Sequence, residues 1–485
     1  MITLSLTEIA RATGSASAVD DVDVTGGAQQ DSRVVGPGDL FVAIAGERTD
    51  GHAHVAAALA AGGVGALVTD PARPVADGVD PARLVVVPDT VDALGDLARH
   101  SLAALRSSGR PGVVAVTGSV GKTTTKDLLV DLLQPRGPLV APPGSLNNEV
   151  GLPLTVLRAD EATTTLVLEM GADRVGNLTY LTSVAPPDVS VVLAVGRAHL
   201  GHFGGIDNVA RTKAELVSGL APGGTAVLNA DDERVAAMAR LAPGEVLTFS
   251  ASGATGADVV ATDVRSDDAG HAVFTLRTDR GSAEVVLALV GPHHVANALA
   301  ATAAGLALGE DLAELAARLR VAGPRSAHRT AVSTLDGDVL LLDDSYNANP
   351  DSMRAGLATL SAIAPGRRRV AVLGHMLELG EESAAEHAGL APELAAHGIE
   401  AVVVVGAEAA PLADAARDAG IQVDDLTGAS PDAIAGRVRE ITRPGDAVLL
   451  KGSRGSGVWE VADLLTPGGG RASAPEAARD EKMRP

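Results

Sequence analysis

The chain contains no cysteine among its 485 residues. Disulfide bonds, thiolate metal sites and cysteine nucleophiles are therefore excluded. Its first residues, MITLSLTEIARATG, have neither a basic start nor a long apolar run, so they do not resemble a signal peptide. The sequence also lacks a run of 18 apolar residues without a charge or a break, and we expect no membrane span. These absences together predict a cytoplasmic protein.

Aromatic residues and lysines are also scarce. Aromatics make up only 1% of the sequence, so the cores must be built from Ala, Val and Leu. The net charge of −22 argues against nucleic acid as a partner, because phosphate backbones are bound by basic surfaces. A small anionic substrate is still allowed, since it needs only a local positive site. We interpret the retention of a few lysines in an Arg-rich chain as a need for a compact amine. The lysines are Lys122, Lys126, Lys213, Lys451 and Lys482.

Short apolar runs alternate with Ala-rich segments, which predicts an α/β protein of three domains. Residues 1–110 are predicted to form a small α/β domain. Residues 111–323 are predicted to form a central domain with a parallel sheet and an antiparallel flank at 256–290. Residues 324–466 are predicted to form a Rossmann-like domain. The segment 467–485 is rich in Gly, Pro and charge, which predicts a disordered tail.

The strongest local signal is a phosphate-binding turn. A buried-strand pattern at 112–117 leads into a Gly-rich turn, and GKTT then opens a helix. In such a turn, backbone N–H groups bind phosphate, the Lys reaches the terminal phosphates and the first Thr holds Mg²⁺. The standard loop has Gly where this chain has Val116, so the turn is a shorter variant. The predicted nucleotide-binding residues are Gly118, Ser119, Val120, Gly121, Lys122, Thr123 and Thr124.

Three more residues of the central domain are candidates for a metal site. Glu169 ends a predicted strand of the same parallel sheet, where a carboxylate is suited to hold Mg²⁺ beside bound phosphate. His199 follows another strand, and Lys213 lies in a helical segment. Without further information, a lone histidine such as His199 is more often structural than catalytic, and the alternative for Lys213 is an exposed helix lysine.

Two polar segments of the C-terminal domain follow predicted strands. DDSYNANP at 343–350 holds one of the two tyrosines and two of the eight asparagines, before a Pro that is suited to open a helix. KGSRG at 451–455 is a basic, Gly-rich turn suited to an anion, although a plain surface turn is the alternative.

In this order, the motifs resemble those of the Mur ligase family over about residues 25–465. TGSVGKTTTK resembles the family's ATP loop, SLNNEVGLP its substrate segment and LEMGA its Mg²⁺ glutamate. AHL and RTKAEL resemble its metal-site His and its lysine, which is carbamylated in most members. GPHHVANALAA resembles the segment beside adenine, and DSR with FVAIAGERTDGH resembles the UDP-binding domain. DSYNANPDSM is typical of the members that add D-alanyl-D-alanine.

The resemblance implies an ATP-dependent amide ligase of peptidoglycan synthesis. It would join D-alanyl-D-alanine to UDP-N-acetylmuramoyl-tripeptide through an acyl phosphate, releasing ADP and phosphate and forming the pentapeptide precursor. It also implies two Mg²⁺ ions, a carbamylated lysine, small-molecule substrates only and a monomeric state. The third residue of the tripeptide is open between diaminopimelate and lysine.

The resemblance also implies roles for individual residues. The catalytic residues would be Lys122, Glu169, His199 and Lys213. The metal ligands would be Thr123, Glu169, His199 and Lys213 as its carbamate. Further nucleotide contacts would come from Asn297, Arg329, Asp344, Tyr346 and Asn347. Substrate contacts would come from Asp31, Ser32, Arg33, Asn147, Asn148, Lys451 and Arg454. Three positions depart from the family pattern: His294 replaces a usual Asn, His375 a common Asp and His54 a common aromatic residue.

Three alternatives are weighed against this interpretation. A sibling ligase of the same family would add a single amino acid, and the DSYNANP segment argues against it. A non-catalytic nucleotide-binding relative is disfavoured by the intact set of candidate catalytic residues. A P-loop motor or GTPase would have the longer phosphate-binding loop, and it would leave the segments at 25–55 and 343–353 without a role.

Overall fold

The computed structural model describes residues 1–46, 49–196 and 203–466. His199 and the predicted tail 467–485 lie outside the described residues. The chain alternates strands and helices, as the sequence predicts for an α/β protein. Within the described ranges, no helix combines the length and the apolar character needed to cross a bilayer.

The strands build one small pair and three larger sheets. They are β1 (Leu4–Ser5), β2 (Asp23–Val24), β3 (Ala28–Gln29), β4 (Leu40–Val42), β5 (Gly65–Val68), β6 (Leu84–Val86), β7 (Gly112–Thr117), β8 (Leu139–Val140), β9 (Thr165–Glu169), β10 (Val189–Val192), β11 (Thr225–Asn229), β12 (Val246–Ser250), β13 (Val259–Ser266), β14 (His271–Thr278), β15 (Gly281–Val290), β16 (Ala331–Leu335), β17 (Val339–Asp343), β18 (Arg369–Gly374), β19 (Ile399–Val405), β20 (Gln422–Asp425) and β21 (Ala447–Lys451).

The helices cover the faces of these sheets. They are Leu6–Ala12, Val55–Ala60, Ala72–Ala76, Thr90–Arg106, Lys122–Leu133, Gly151–Val156, Asn177–Val184, Ile206–Ser218, Glu233–Ala236, His294–Ala307, Leu312–Leu319, Pro350–Ile363, Ser383–Ala388, Ala391–Ala396, Ala410–Asp418, Pro431–Ile441 and Val458–Leu465.

The N-terminal part contains a parallel sheet in the order β3-β4-β5-β6 and the antiparallel pair β1-β2. The helix Thr90–Arg106 begins where the side chain of Asp89 accepts hydrogen bonds from the first-turn N–H groups. Its buried residues belong to one apolar core that continues into the central sheet. The N-terminal part is therefore packed directly against the central domain.

The central sheet has nine strands in the order β15-β14-β13-β12-β11-β10-β7-β9-β8. Across the sheet from β8 to β13, each strand pairs in parallel with its neighbour, whereas β14 pairs antiparallel with both β13 and β15. The predicted antiparallel flank at 256–290 is thus confirmed. Strand β7 lies between β9 and β10, so the residues that follow these three strands meet at one edge of the sheet.

The C-terminal sheet has six strands in the order β16-β17-β21-β18-β19-β20, and only its edge strand β16 is antiparallel. The inner parallel strands β17, β21, β18 and β19 are largely apolar because helices cover both faces of the sheet, whereas the edge strand β20 is polar and partly exposed. Asn349 and Ser352 form a capping box around Pro350, and the helix Pro350–Ile363 begins there as predicted.

Candidate active site

The turn after β7 is shaped for a close approach of backbone atoms. Gly121 has a φ of +83°, and a Cβ there would lie 2.4 Å from Oδ1 of Asn297. Ser119 N–H donates to the carbonyl of Ala194 at 2.9 Å, and its hydroxyl accepts from Gly196 N–H at 2.8 Å. These bonds fix the turn to the segment that follows β10. The turn leads into the helix Lys122–Leu133, whose N-terminus is suited to bind phosphate.

Lys122 is the first residue of that helix. Its Nζ donates to the carbonyl of Gly118 at 2.8 Å, across the turn. Burial lowers the pKa of Lys122, the charge of Glu169 opposes this change and Arg329 adds to it. The negative charge of a bound phosphate would favour the protonated form of Lys122, so this buried lysine is suited to bind an anion.

Glu169, at the end of β9, accepts hydrogen bonds from two separate segments. Its Oε2 accepts from the hydroxyl of Thr123 at 2.9 Å, and its Oε1 accepts from Nδ2 of Asn147 at 2.8 Å. The carboxylate is 1% exposed and Thr123 is 4% exposed. Arg329 Nη2 also donates to the Thr123 hydroxyl, at 3.2 Å. The phosphate-binding turn, the segment at 145–153 and Arg329 therefore converge on one buried carboxylate.

Lys213 lies in the helix Ile206–Ser218 and is 5% exposed. Burial lowers the pKa of Lys213 well below its usual value, and the charge of Lys122 lowers it further. The alternative of an exposed helix lysine is thus excluded. Among the residues that the structure describes, no group of three or more His, Asp or Glu side chains is placed to hold a metal ion.

Tyr346 links the C-terminal domain to the central domain. Its hydroxyl lies 2.5 Å from the hydroxyl of Ser145, which precedes Asn147 in the same segment. The guanidinium of Arg329 lies over the Tyr346 ring at 4.3 Å, and that of Arg454 lies 5.4 Å from it. The structure thus places two predicted residues, Arg329 and Tyr346, close to the residues that surround Glu169. Arg454 contacts the Tyr346 ring.

Asp344 and Lys451 contact each other instead of facing open solvent. Lys451 is 1% exposed, and its Nζ donates to Oδ2 of Asp344 at 2.5 Å and to the carbonyl of Asn347 at 3.2 Å. Asp344 Oδ1 accepts from Thr330 N–H at 3.2 Å. In this arrangement, the ion pair ties the ends of β17 and β21 together.

The predicted substrate residues of the N-terminal part lie in another sheet. Asp31, Ser32 and Arg33 follow β3, and the Arg33 side chain pairs with Asp31 at 2.7 Å. In the central domain, Asn148 Oδ1 accepts from Gly151 N–H at 2.8 Å, at the start of the helix Gly151–Val156. Asn147 and Asn148 are adjacent, but Asn147 contacts Glu169, whereas Asn148 contacts the backbone at the start of a helix.

The three residues that depart from the family pattern lie in different places. His294 begins the helix His294–Ala307, beside the phosphate-binding turn, and is 3% exposed. His375 follows β18, and its Nδ1 lies 3.4 Å from Oε2 of Glu408. His54 ends a short 3₁₀ turn in the N-terminal part. Of the three, only His294 lies beside the phosphate-binding turn.

Sequence reasoning missed a buried ion pair behind the turn. Lys126 and Asp127 are 3% and 4% exposed, and Lys126 Nζ lies 2.8 Å from Asp127 Oδ1. Lys126 also donates to the carbonyls of Pro142 and Gly144, at 3.2 and 3.1 Å, and to Ser326 Oγ at 3.3 Å. The signal was present, because Lys126 is one of only five lysines.

Comparisons with known proteins identify the family. The family model described as "Mur ligase middle domain" matches residues 116–305, "Mur ligase, glutamate ligase domain" matches 328–454, and "Mur ligase family, catalytic domain" matches 27–102. The UDP-N-acetylmuramoyl-tripeptide--D-alanyl-D-alanine ligase of Mycobacterium tuberculosis is 42% identical, with 96% of this chain and 98% of that protein covered. The enzyme of the same name from Escherichia coli is 36% identical, with 90% and 93% covered.

Solved structures with a similar fold include two MurF enzymes. MurF from Acinetobacter baumannii superposes with a TM-score of 0.83 at 31% identity, covering 96% of this chain and 99% of that one. The MurF ligase from Thermotoga maritima, solved in complex with ADP, has a TM-score of 0.74 at 30% identity, covering 91% and 97%. The chain therefore belongs to the Mur ligase family.

Proposed function

We propose that this chain joins D-alanyl-D-alanine to UDP-N-acetylmuramoyl-tripeptide with ATP as the energy source. The proposal depends on one observation above all. Glu169 accepts hydrogen bonds from both Thr123 and Asn147, so the phosphate-binding turn and the predicted substrate segment meet at a single carboxylate. The names of the relatives in Mycobacterium tuberculosis and Escherichia coli support the choice of the dipeptide as the incoming amine.

The reaction needs a carboxylate to become an electrophile. The substrate carboxylate takes the γ-phosphoryl group of ATP, and ADP leaves. The dipeptide amine then attacks the acyl carbon of the acyl phosphate, and phosphate and a proton leave as the amide forms. Lys122 would bind the transferring phosphoryl oxygens, and the guanidinium of Arg329 lies close enough to Thr123 to add a second positive charge.

Mg²⁺ is proposed to bind at Thr123 and Glu169. A hydroxyl and a carboxylate are oxygen ligands of the kind that Mg²⁺ prefers, and both are buried here. The ion would neutralise the negative charge that collects between phosphate and carboxylate. Asn147 holds the Glu169 carboxylate from its other oxygen. A second ion is proposed near His199, which lies outside the described residues.

Lys213 is proposed to carry a carbamate. Its amine is buried, and burial favours the neutral form that adds CO₂. The product is an anion, which suits a position beside the charge of Lys122 and a metal site. We expect Lys213→Ala to lose at least roughly 100-fold of kcat, as changes around metal ligands do, and high bicarbonate or chloride to restore part of it.

A direct readout separates the carbamate from a purely structural lysine. Protein equilibrated with ¹³C-labelled bicarbonate should show a carbamate carbon signal that is missing in Lys213→Ala and unchanged in the matched control Lys482→Ala. Full activity in Lys213→Ala, or the same signal in that variant, would contradict the proposal.

The function itself is tested by phosphate release from ATP. We expect release that requires both UDP-N-acetylmuramoyl-tripeptide and D-alanyl-D-alanine, with a pentapeptide product in the mass spectrum. Lys122→Met is the negative control. Release with a shorter UDP-peptide and a single amino acid would identify a sibling ligase instead. No release with any substrate pair would identify a non-catalytic relative.

We also propose that the chain is a cytoplasmic monomer whose domains divide near residues 110 and 323. Both divisions fall between the strands of successive sheets, at 87–111 and 291–330. Light scattering behind size exclusion should give the mass of one chain, and within residues 1–466 limited proteolysis should cut first near these two positions.

A further inference from the structure

A carboxylate of the C-terminal domain lies close to the phosphate-binding turn. Asp351 is the second residue of the helix Pro350–Ile363, which begins at the end of the polar segment 343–350. A Cβ on Gly196 would lie 2.9 Å from Oδ2 of Asp351 and 3.3 Å from Cβ of Ser119. Ser119 belongs to the turn, and its hydroxyl accepts from Gly196 N–H at 2.8 Å. Because Gly196 has no side chain, the carboxylate can approach the turn across the domain interface.

This carboxylate is not needed to begin its helix, and it is only weakly paired. The N-cap is Asn349, whose side chain accepts a first-turn N–H group. Oδ1 of Asp351 lies 3.6 Å from Nη1 of Arg354. The same guanidinium lies 3.4 Å from Oε2 of Glu386 and 3.7 Å from Oε1 of Glu393, so three carboxylates share one cation. Within the described part of the chain, no donor is hydrogen-bonded to Oδ2 of Asp351, and 48% of the side chain is exposed. Oδ2 is therefore available to a ligand that carries positive charge.

The charge of Asp351 is unfavourable beside a phosphate site unless a cation lies between them. The turn is proposed to bind the phosphates of ATP, and a carboxylate that faces them is repelled. The proposed Mg²⁺ is held from the central domain, at Thr123 and Glu169. In the proposed reaction, the amine of the dipeptide must also reach the acyl phosphate. Because α-amino groups have a pKa of about 7.7–8.0, this amine arrives largely as an ammonium at neutral pH.

The same domain also offers a cation for the other end of a dipeptide. The guanidinium of Arg454 lies 5.4 Å from the Tyr346 ring and 5.0 Å from the Trp459 ring, and among the described residues no carboxylate is paired with it. Lys451, by contrast, is already paired with Asp344. Asp351 lies beyond the end of β17 and Arg454 beyond the end of β21, and these two strands are neighbours. A zwitterionic dipeptide needs one carboxylate and one cation, and this edge of the sheet supplies both.

We propose that Asp351 binds the ammonium group of the incoming dipeptide and holds it beside the phosphate-binding turn. The inference rests on the proposed function, because it takes D-alanyl-D-alanine as the attacking substrate. The carboxylate places the nitrogen on the C-terminal side of the cleft, opposite the central segment that carries Asn147. A compound that lacks only this ammonium is therefore expected to bind weakly.

The test is steady-state phosphate release by the full chain and by Asp351→Asn. We expect the KM for D-alanyl-D-alanine to rise by roughly 10- to 100-fold, as the loss of a charged hydrogen bond predicts. The KM values for ATP and for UDP-N-acetylmuramoyl-tripeptide should change by less than roughly threefold. Asp432→Asn is the matched control, because Asp432 also follows a proline, at the start of the helix Pro431–Ile441, and is exposed. It should leave all three KM values unchanged.

A second measurement separates ammonium binding from a structural role. Propanoyl-D-alanine differs from D-alanyl-D-alanine only in lacking the amine, and it should compete with the dipeptide. In the wild type, its Ki should exceed the KM for the dipeptide by roughly 10- to 100-fold. In Asp351→Asn, its Ki should stay the same, because it has no ammonium to lose contact with the carboxylate.

Three results would overturn the inference and leave the proposed function intact. The first is a dipeptide KM in Asp351→Asn within roughly threefold of the wild type. The second is a parallel rise of the dipeptide KM and the propanoyl-D-alanine Ki, which would show that the change disturbs the domain as a whole. The third is equally tight binding of both compounds to the wild type, a comparison that stands even if the variant does not fold. A wild type that never uses D-alanyl-D-alanine would overturn the inference and the proposed function together.

Discussion

Lys126 joins three parts of the chain at one buried ammonium, so its loss should destabilise the central domain. The side chain is 4% exposed, and that of its partner Asp127 is 6% exposed. The same Nζ also binds the loop carbonyls of Pro142 and Gly144 and the hydroxyl of Ser326 in the connection to the C-terminal domain. Lys126→Met keeps most of the apolar stem and removes only the charge and the donors.

The expected loss follows from the carboxylate that remains. Removing one partner of a buried ion pair costs about 3–5 kcal/mol, because the other charge stays buried without compensation. For a domain of this size, 1 kcal/mol moves the melting temperature by about 2–4 °C, so the shift should be roughly 6–20 °C. That is a large part of the stability of an ordinary domain.

Scanning calorimetry of the full chain measures this shift. The central domain is recognised by the unfolding transition whose melting temperature increases when Mg²⁺ and ADP are added. Asp127→Asn and the double variant with Lys126→Met complete a cycle. The double variant should lose less than the sum of the single variants, because it leaves no buried charge. Additivity within about 0.5 kcal/mol would refute the coupling that the 2.8 Å contact implies.

Two further predictions concern the carboxylate cluster and the C-terminal domain. Glu169→Gln keeps the hydrogen bond from Thr123 but removes the negative charge of the side chain. We expect kcat to fall by roughly 10²–10³-fold in a phosphate-release assay, while the melting temperature stays close to that of the wild type. An unchanged kcat would show that Glu169 is not a metal ligand. Burial disfavours the His328 imidazolium, but the hydrogen bond to Asp343 at 2.8 Å and the Asp343 charge outweigh burial and raise the pKa of His328. Protonated His328 therefore stabilises the folded chain fully below the unfolded pKa of 6.5, and this contribution to the free energy of unfolding is lost as the pH rises through the raised pKa of the folded state. In His328→Gln, the free energy of unfolding should no longer fall over this pH range. The single tryptophan, Trp459, lies 6.0 Å from the His328 ring, so urea unfolding followed by its fluorescence at about pH 6 and pH 8.5 measures the effect; equal slopes with pH in both proteins would exclude His328 as the titrating group.

Much of the fold could be predicted because buried parallel strands have continuous apolar sequences. The apolar runs at 112–117 and 401–406 of the sequence lie on β7 and on most of β19 for that reason. The order of the strands could not be predicted. Strand β21 enters the sheet between β17 and β18, although it is the last strand in the chain, and such pairing depends on contacts over more than 70 residues.

The candidate site divides in the same way. The phosphate-binding turn is local, since strand, glycine and helix start follow each other within twelve residues, and its position could be predicted from the sequence. The bond from Asn147 to Glu169 joins residues 22 positions apart, and that from Arg329 to Thr123 joins residues 206 positions apart. Contacts of that kind exist only once the sheets are assembled.

The pair Asn147 and Asn148 shows why a motif does not determine the role of each of its residues. Both amides belong to the same NNEVGLP segment, and their composition gives no reason to separate them. In the folded chain, a Cβ on Gly171 would lie 2.8 Å from Asn147, so the backbone of the β9 end sets the path of that amide toward Glu169. Asn148 Oδ1 instead accepts from Val150 N–H at 3.3 Å and from Gly151 N–H at 2.8 Å, at the start of the helix Gly151–Val156. Because a carboxylate can replace that acceptor, Asn148→Asp should preserve the fold, whereas the donor from Asn147 to Glu169 has no such replacement. We therefore expect a change at Asn147 to disturb the Glu169 carboxylate directly, and a change at Asn148 to act through the start of the helix Gly151–Val156.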